Sequence, residues 1–157
     1  MGIEIERKFL VNEEMLMQEE LGSGSYVRQG YIMAEKEKTV RVRVYGERAF
    51  VTFKGMSKGA ARPEYEYEIL VKDAQEMLDL FAESEIVKTR YKFTYEDTVW
   101  EVDIFEGDNK GLILAEAELE SEGQDIQKPV WIGAEVTGDE RFNNSYLSKN
   151  PFGKWKT

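Results

Sequence analysis

A chain of 157 residues carrying a net charge of −10, with 41% hydrophobic and 33% charged residues, fits one packed domain that buries about 70% of the surface its unfolded form exposes. It holds no cysteine and no histidine, which excludes disulfide frameworks, thiolate zinc centres, cysteine nucleophiles and every histidine-based triad, and leaves hard, oxygen-ligated cations as the metal class that fits. The acidic excess argues against a general nucleic-acid-binding surface, so an anionic partner has to be met by a local cluster of cations.

In chain order, alternation with period two marks eight strands. They are "IEIERKFLV" (3–11), "YVRQGYIM" (26–33), "TVRVRVY" (39–45), "AFVTFK" (49–54), "PEYEYEILV" (63–71), "VKTRYKFTY" (87–95), "VWEVDIF" (99–105) and "ILAEAELE" (113–120). Turn residues such as Gly46 and the "GDNKG" run (107–111) predict antiparallel hairpins. Helical pattern is sparse: a short helix after Asn12, a segment opened by Asp73 and Glu76 at capping-box spacing, and another opened by Thr137 and Glu140 before "RFNNSYL". The first eleven residues lack the apolar core of a signal peptide and no run of 18 apolar residues occurs, so a cytoplasmic location without membrane contact is expected.

In an ordinary sheet the charged face of each strand meets water, and an isolated EIE or RVR triplet reads that way. The order of the charges argues otherwise. By parity, Glu4, Glu6 and Lys8 share a face, as do Arg41 and Arg43; Thr52 and Lys54; Glu64, Glu66 and Glu68; Lys88, Arg90 and Lys92; Glu101 and Asp103; and Glu116, Glu118 and Glu120. Like charges side by side destabilise a pleated face by up to about 1 kcal/mol, yet most of these strands are single-signed. The opposite faces are apolar, as in Val40, Val42 and Val44 or Ala115, Ala117 and Leu119. One architecture reconciles both faces: a mainly β domain spanning 1–157, an eight-stranded antiparallel closed β-barrel with the charges inside and the flanking helices near 74–83 and 139–148 covering part of the exterior. Glu68, Lys92 and Glu120 sit near strand ends and read as rim or surface charges. Tyr65, Tyr67, Tyr91, Trp100 and Phe105 read as packing, and Trp131 as the anchor of the C-terminal segment.

Carboxylates at i and i+2 of one strand lie about 6–7 Å apart at their Cα atoms, close enough to share a hard cation or its waters. Glu4/Glu6, Glu101/Asp103 and Glu116/Glu118 have that spacing, and Mg²⁺ or Mn²⁺ is the natural ion because both take oxygen ligands and bridge carboxylates to phosphates. Arg41 and Arg43 add two planar forks matched to phosphate oxygens, with Lys8, Lys54, Lys88, Arg90 and Lys92 extending the cradle. No Gly-rich phosphate loop of the GxxxxGK[ST] type is present.

The ordered set "EIERK" (4–8), "RVR" (41–43), "TFK" (52–54), "EYE" (64–66), "KTRY" (88–91), "EVDIF" (101–105) and "AEAEL" (115–119) resembles the CYTH superfamily, the triphosphate tunnel metalloenzymes. The likeness covers nearly the whole chain, and "EVTGDERFNNSYL" (135–147) is similar to the helical segment after the last strand of the compact bacterial members. It implies a tunnel that binds a triphosphate with one or two divalent ions. Carried over by motif, Glu4, Glu6, Glu116 and Glu118 would serve the main ion, with Asp103 and Glu64 or Glu66 at a second. Lys8, Arg41, Arg43, Lys54 and Arg90 would hold phosphates, and Lys88 would lie near the attacked phosphorus. Lys88 or Lys8 is a candidate general base if neighbouring cations lower its pKa, and a carboxylate base is equally open. Hydrolysis of inorganic tripolyphosphate by a stand-alone enzyme, monomer or homodimer, is the implied function. The alternatives are an adenylate cyclase, a thiamine, nucleoside or RNA triphosphatase, a polyphosphate-binding module without turnover, and a plain barrel with solvated charges.

Overall fold

In the computed structural model, which describes residues 3–35 and 37–155, nine strands form one antiparallel sheet. They are β1 (Ile3–Val11), β2 (Ser25–Ala34), β3 (Lys38–Tyr45), β4 (Arg48–Gly55), β5 (Ala61–Ile69), β6 (Ser84–Tyr95), β7 (Thr98–Phe105), β8 (Ile113–Glu118) and β9 (Ile132–Glu135). Eight close a barrel in the order β5-β4-β3-β2-β6-β7-β8-β1, sealed where β1 returns to β5 through Ile3↔Pro63, Glu4↔Arg62 and Ile5↔Ala61. The expected eight-stranded barrel is therefore present. β9 is the addition: four residues with Gly133 inside them carry too little alternation to be read as a strand.

The seam has a consequence for access. β1 pairs with β5 over its first three residues and with β9 near its end, at Phe9↔Glu135 and Val11↔Ile132. Between these two pairings the chain changes partner, and a second opening of the barrel forms beside it.

Hairpins account for most connections. Gly46 takes a positive φ of 60° at the β3–β4 turn, where a residue without Cβ costs nothing. The β6–β7 turn uses Glu96 and Asp97, at φ 47° and 66°, the two positive values a type I′ turn requires. The connection from β5 to β6 is different: it runs through α2 (Val71–Phe81), and β6 pairs with β2. Helix α2 buries Ala74 and Leu78 against Val42 and Ala49 on the barrel exterior. Gly30 permits that approach, because a Cβ there would stand 2.6 Å from Leu78 Cδ2.

The short helix expected after Asn12 is present, and neither capping box opens its helix as the spacing implied. Asn12 caps α1 (Glu13–Leu16) by accepting from the Met15 amide. Asp73, however, lies within the first turn of α2, which starts after Leu70 without a side-chain cap, because the helix begins three residues earlier than the Asp73/Glu76 spacing implied. Thr137 does not open a helix either: Asp139 caps a 3-10 turn (Glu140–Phe142) ahead of α3 (Asn144–Lys149). Thr137 Oγ1 instead accepts from the Lys8 amide.

Two coverings differ from expectation. α3 does not lie on the exterior; with Phe142 and Leu147 it packs on Ile86, Phe105, Leu112 and Leu114 at one end of the barrel. The outer faces of β1, β7 and β8 are covered by the segment that follows β8. Its Trp131, fully buried, meets Trp100 and Phe93 edge-on at centroid distances of 6.4 and 5.6 Å. Tyr65 and Tyr67 are 55% and 58% exposed on the outside of β5, so they are not packing residues. No helix among the described residues is long and apolar enough to cross a membrane.

These environments predict opposite responses to truncation. Trp131→Ala should cost about 3–5 kcal/mol in chemical denaturation, the range for removing a large buried aromatic. Tyr67→Ala should stay within about 0.5 kcal/mol, as for an exposed surface residue.

Candidate active site

The alternation of each strand decides which side chains enter the barrel, and pairing decides their heights. Register sets Lys8 opposite Glu116, Glu116 opposite Glu101, Arg90 opposite Asp103, and Lys54 opposite Glu64. Pairing thus gathers the rows by sign: acidic rows lie side by side on β7, β8 and the first residues of β1, cationic rows lie side by side on β3 and β4, and ion pairs such as Arg90 with Asp103 and Lys54 with Glu64 form where the two kinds meet. A cavity of 390 Å³ runs through the interior. It takes in Glu4, Glu6, Lys8, Arg41, Arg43, Lys54, Glu64, Glu66, Lys88, Arg90, Glu116 and Glu118, all expected inside. Glu101 and Lys92 also line it, Lys92 on an exposed rim.

Asp103 lies deeper. Its Oδ1 accepts from Arg90 Nε at 2.7 Å, and Oδ2 accepts from Arg90 Nη2 at 2.8 Å and pairs with Lys88 Nζ at 2.7 Å. Burial raises its pKa, but Arg90 and Lys88 outweigh that and hold it ionised. Asp103 is not among the residues lining the cavity, so it sits behind the two cations and apart from the other candidate metal carboxylates. Burial is also the largest influence on Lys88, lowering its ammonium to about 7 although Asp103 pulls the other way. Lys88 Nζ donates to Asn144 Oδ1 at 2.8 Å. Lys8 Nζ donates to the Phe142 carbonyl at 3.0 Å.

The opposite wall is built around Glu66. Thr52 Oγ1 donates to it at 2.8 Å, and Arg41 and Arg43 reach it at 3.4 Å each. Burial, then the nearby Arg41 and Arg90, lowers the Arg43 guanidinium to about 10, a measure of how closely cations are gathered here. Lys54 spans Glu4 at 3.1 Å and Glu64 at 3.4 Å.

Glu6 and Glu116 form the strained part of the site. Burial and the neighbouring Glu116 and Glu4 carboxylates push Glu6 well above the ordinary carboxylate range. Glu116 is buried too, but Lys8 and Arg90 hold it far below that range, and it hydrogen-bonds Glu6. Glu118 is raised by burial and by Glu101. Among the described residues no three carboxylates already form a closed metal-binding group. The donor chemistry nevertheless fits a hard divalent ion: all oxygens, several carboxylates crowded together, and one of them, Glu6, pushed well above the ordinary carboxylate range by burial and its neighbours.

Two residues that share the inward parity lie outside the cavity. Glu68 forms a surface pair with Arg48 at 2.8 Å, and Glu120 is exposed beyond the end of β8. Both had been read as rim or surface charges, and the structure agrees. Sequence reasoning missed Arg62, which lines the cavity and shares the inward parity of Glu64 and Glu66. It also missed Asn143 and, at the start of α3, Asn144 and Ser145. Parity could have found Arg62; nothing in an "NNS" run announces that it enters a barrel. Gln29, buried on β2, donates to Tyr31 Oη at 2.8 Å while its Oε1 has no partner.

Comparison with known proteins follows the same lines. The CYTH domain profile matches residues 2–149. The chain is 49% identical over 157 residues to a protein named inorganic triphosphatase from Acetivibrio thermocellus, covering 99% of each. It is 36% identical to another of that name from Nitrosomonas europaea, over 92% of this chain and 96% of that protein. The crystal structure of an inorganic triphosphatase superposes with a TM-score of 0.63 at 32% identity, over 92% of this chain and 96% of the other.

The Asp103 cluster makes a stability prediction. Asp103→Ala leaves Arg90 buried and short of its best partner, which should cost about 3–5 kcal/mol in urea unfolding. Glu68→Ala, which breaks only an exposed pair, should cost less than about 1 kcal/mol.

Proposed function

The chain belongs to the CYTH domain family, and on that premise we propose that it is a divalent-metal-dependent triphosphatase whose substrate is inorganic tripolyphosphate. The observation that carries this reading is the sorting of charge inside the barrel: guanidinium and ammonium groups and crowded carboxylates face one cavity. A triphosphate needs cations along its length, and an ion that accompanies it needs oxygen ligands. The closely related proteins named inorganic triphosphatase point to the same substrate.

In this reading Glu4, Glu6, Glu116 and Glu118 would hold a first Mg²⁺ or Mn²⁺, and Glu64 or Glu66 would serve a second. Asp103 had been assigned to that second ion; with both oxygens engaged by Arg90 and Lys88, its proposed role becomes that of positioning the two cations. The bound ion supplies charge neutralisation at the phosphoryl oxygens and orients water. Arg41, Arg43, Lys54, Lys8 and Arg90 hold phosphate oxygens and stabilise the charge spread over the transferred group.

The chemical step is attack of water in line with the bridging oxygen of a terminal phosphoryl group. The new P–O bond forms as the bridging P–O bond breaks, pyrophosphate leaves and orthophosphate remains. The proton lost by water passes to a base. Lys88 qualifies, since burial lowers its ammonium to about 7 and leaves a substantial neutral fraction at neutral pH. Lys8, held on the Phe142 carbonyl, remains beside the acidic cluster as a phosphate ligand and the second candidate.

A panel of tripolyphosphate, ATP and thiamine triphosphate with Mg²⁺ or Mn²⁺, reading phosphate, pyrophosphate and cyclic AMP separately, tests the assignment. Orthophosphate from tripolyphosphate should dominate; cyclic AMP from ATP as the main product would overturn it. Glu6→Gln and Glu116→Gln should fold and lose roughly 100-fold or more of the metal-dependent rate. If Lys88 is the base, activity rises as pH passes upward through about 7, because only the neutral amine accepts a proton. Lys88→Arg, charged at every accessible pH, should abolish that rise; an unchanged profile would transfer the role to a carboxylate.

A further inference from the structure

The barrel has a second cavity, of 550 Å³, that shares Glu4, Glu6, Lys8 and Arg62 with the first and opens between the β4–β5 loop (Met56, Gly59) and the segment after β9 (Thr137, Gly138). This is the opening created where β1 leaves β5 for β9. Arg62 stands at the junction, opposite Glu4 on the seam.

Its bonding sets it apart from the other arginines inside. Arg41 and Arg43 are drawn to Glu66, and Arg90 to Asp103. Arg62 Nε donates to the Gly55 carbonyl at 3.2 Å, and among the described residues no carboxylate pairs with its guanidinium. Although Glu4 is its direct cross-strand neighbour, Glu4 takes Lys54 as its ion-pair partner. One nitrogen is thus spent on fixing the side chain against the loop, and the two terminal nitrogens are left to a ligand. Ordering one rotamer in advance lowers the entropy lost on binding, and a guanidinium with no ion-pair partner gains most from an anion.

We propose that Arg62 is a substrate-binding residue: it holds a phosphate of the triphosphate chain at the second opening, beyond the segment held by Arg41, Arg43 and Arg90. This rests on the reading of the tunnel as a triphosphate site. The bland role, tying the β4–β5 loop through Gly55, uses only Nε, so the two roles separate by substitution. Arg62→Gln keeps a donor able to reach the loop and removes the charge; Arg62→Lys restores the charge without the fork.

The test is calorimetric titration of the purified protein with inorganic tripolyphosphate in the presence of a chelator, alongside steady-state kinetics with metal. Arg62→Gln should weaken binding roughly ten-fold or more, the scale of one charge-assisted hydrogen bond. It should raise KM for tripolyphosphate in step, with kcat within about three-fold of the unmodified protein, and Arg62→Lys should recover part of the loss. Undiminished affinity in Arg62→Gln, or a fall in kcat with KM and affinity unchanged, would overturn the proposal. A protein that binds tripolyphosphate and does not hydrolyse it would overturn the triphosphatase reading alone, and the titration would still decide Arg62. An unmodified protein that fails to bind tripolyphosphate under either condition would overturn both.

Discussion

The interior depends on one buried arrangement, the Asp103 carboxylate clasped by Arg90 and Lys88. Moving charges out of water is costly unless they are paired and hydrogen-bonded, and these three groups satisfy one another behind the cavity wall. That leaves the outer edges of Arg90 and Lys88 facing the cavity at fixed positions. Other interior ion pairs repeat the pattern less tightly: Glu66 with Arg41 and Arg43, and Lys54 with Glu4 and Glu64. The exception is the acidic side, where Glu6 faces Glu116 without enough cation nearby to ionise both. A site left short of positive charge beside walls rich in it is suited to an anion that arrives with a metal ion.

Much of this was legible from parity. Period-two patterning is set by the backbone itself, so the inward rows of Glu4/Glu6/Lys8, Arg41/Arg43 and Lys88/Arg90 could be read directly, and sign sorting identified the face that points inward. The eight barrel strands followed for the same reason. What escaped reading depends on contacts far apart in sequence. β9 exists because β1 offers it an edge, and its four residues carry little pattern of their own. α3 closes one end of the barrel because inward positions there are apolar, Ile86, Phe105 and Leu114 among them; along the strands these looked like a continuation of the charged rows. The Asp73 and Thr137 cap assignments failed because spacing alone cannot show which residue ends its extended conformation first.

Asp103 shows the limit of carrying a motif over by position. Its i, i+2 spacing from Glu101 matched that of the other acidic pairs, yet strand pairing opposite Arg90 turned it into the anchor of the cationic wall. Arg62 shows the converse: it continues the Glu64 and Glu66 row, and what sets it apart, a guanidinium with no paired carboxylate among the described residues although Glu4 stands opposite, becomes visible only once the seam is closed. The same seam supplies the second opening, so barrel closure and access to the interior come from the same exchange of partners along β1.

The central claim is that the sorted charges form a ligand tunnel and are not a solvated surface folded inward. A crystal structure of the protein with tripolyphosphate tests it most directly. The account predicts a phosphate chain inside the barrel, with oxygens on Arg41, Arg43 and Arg90. Tripolyphosphate bound to the outer surface, with the interior ion pairs undisturbed, would contradict it.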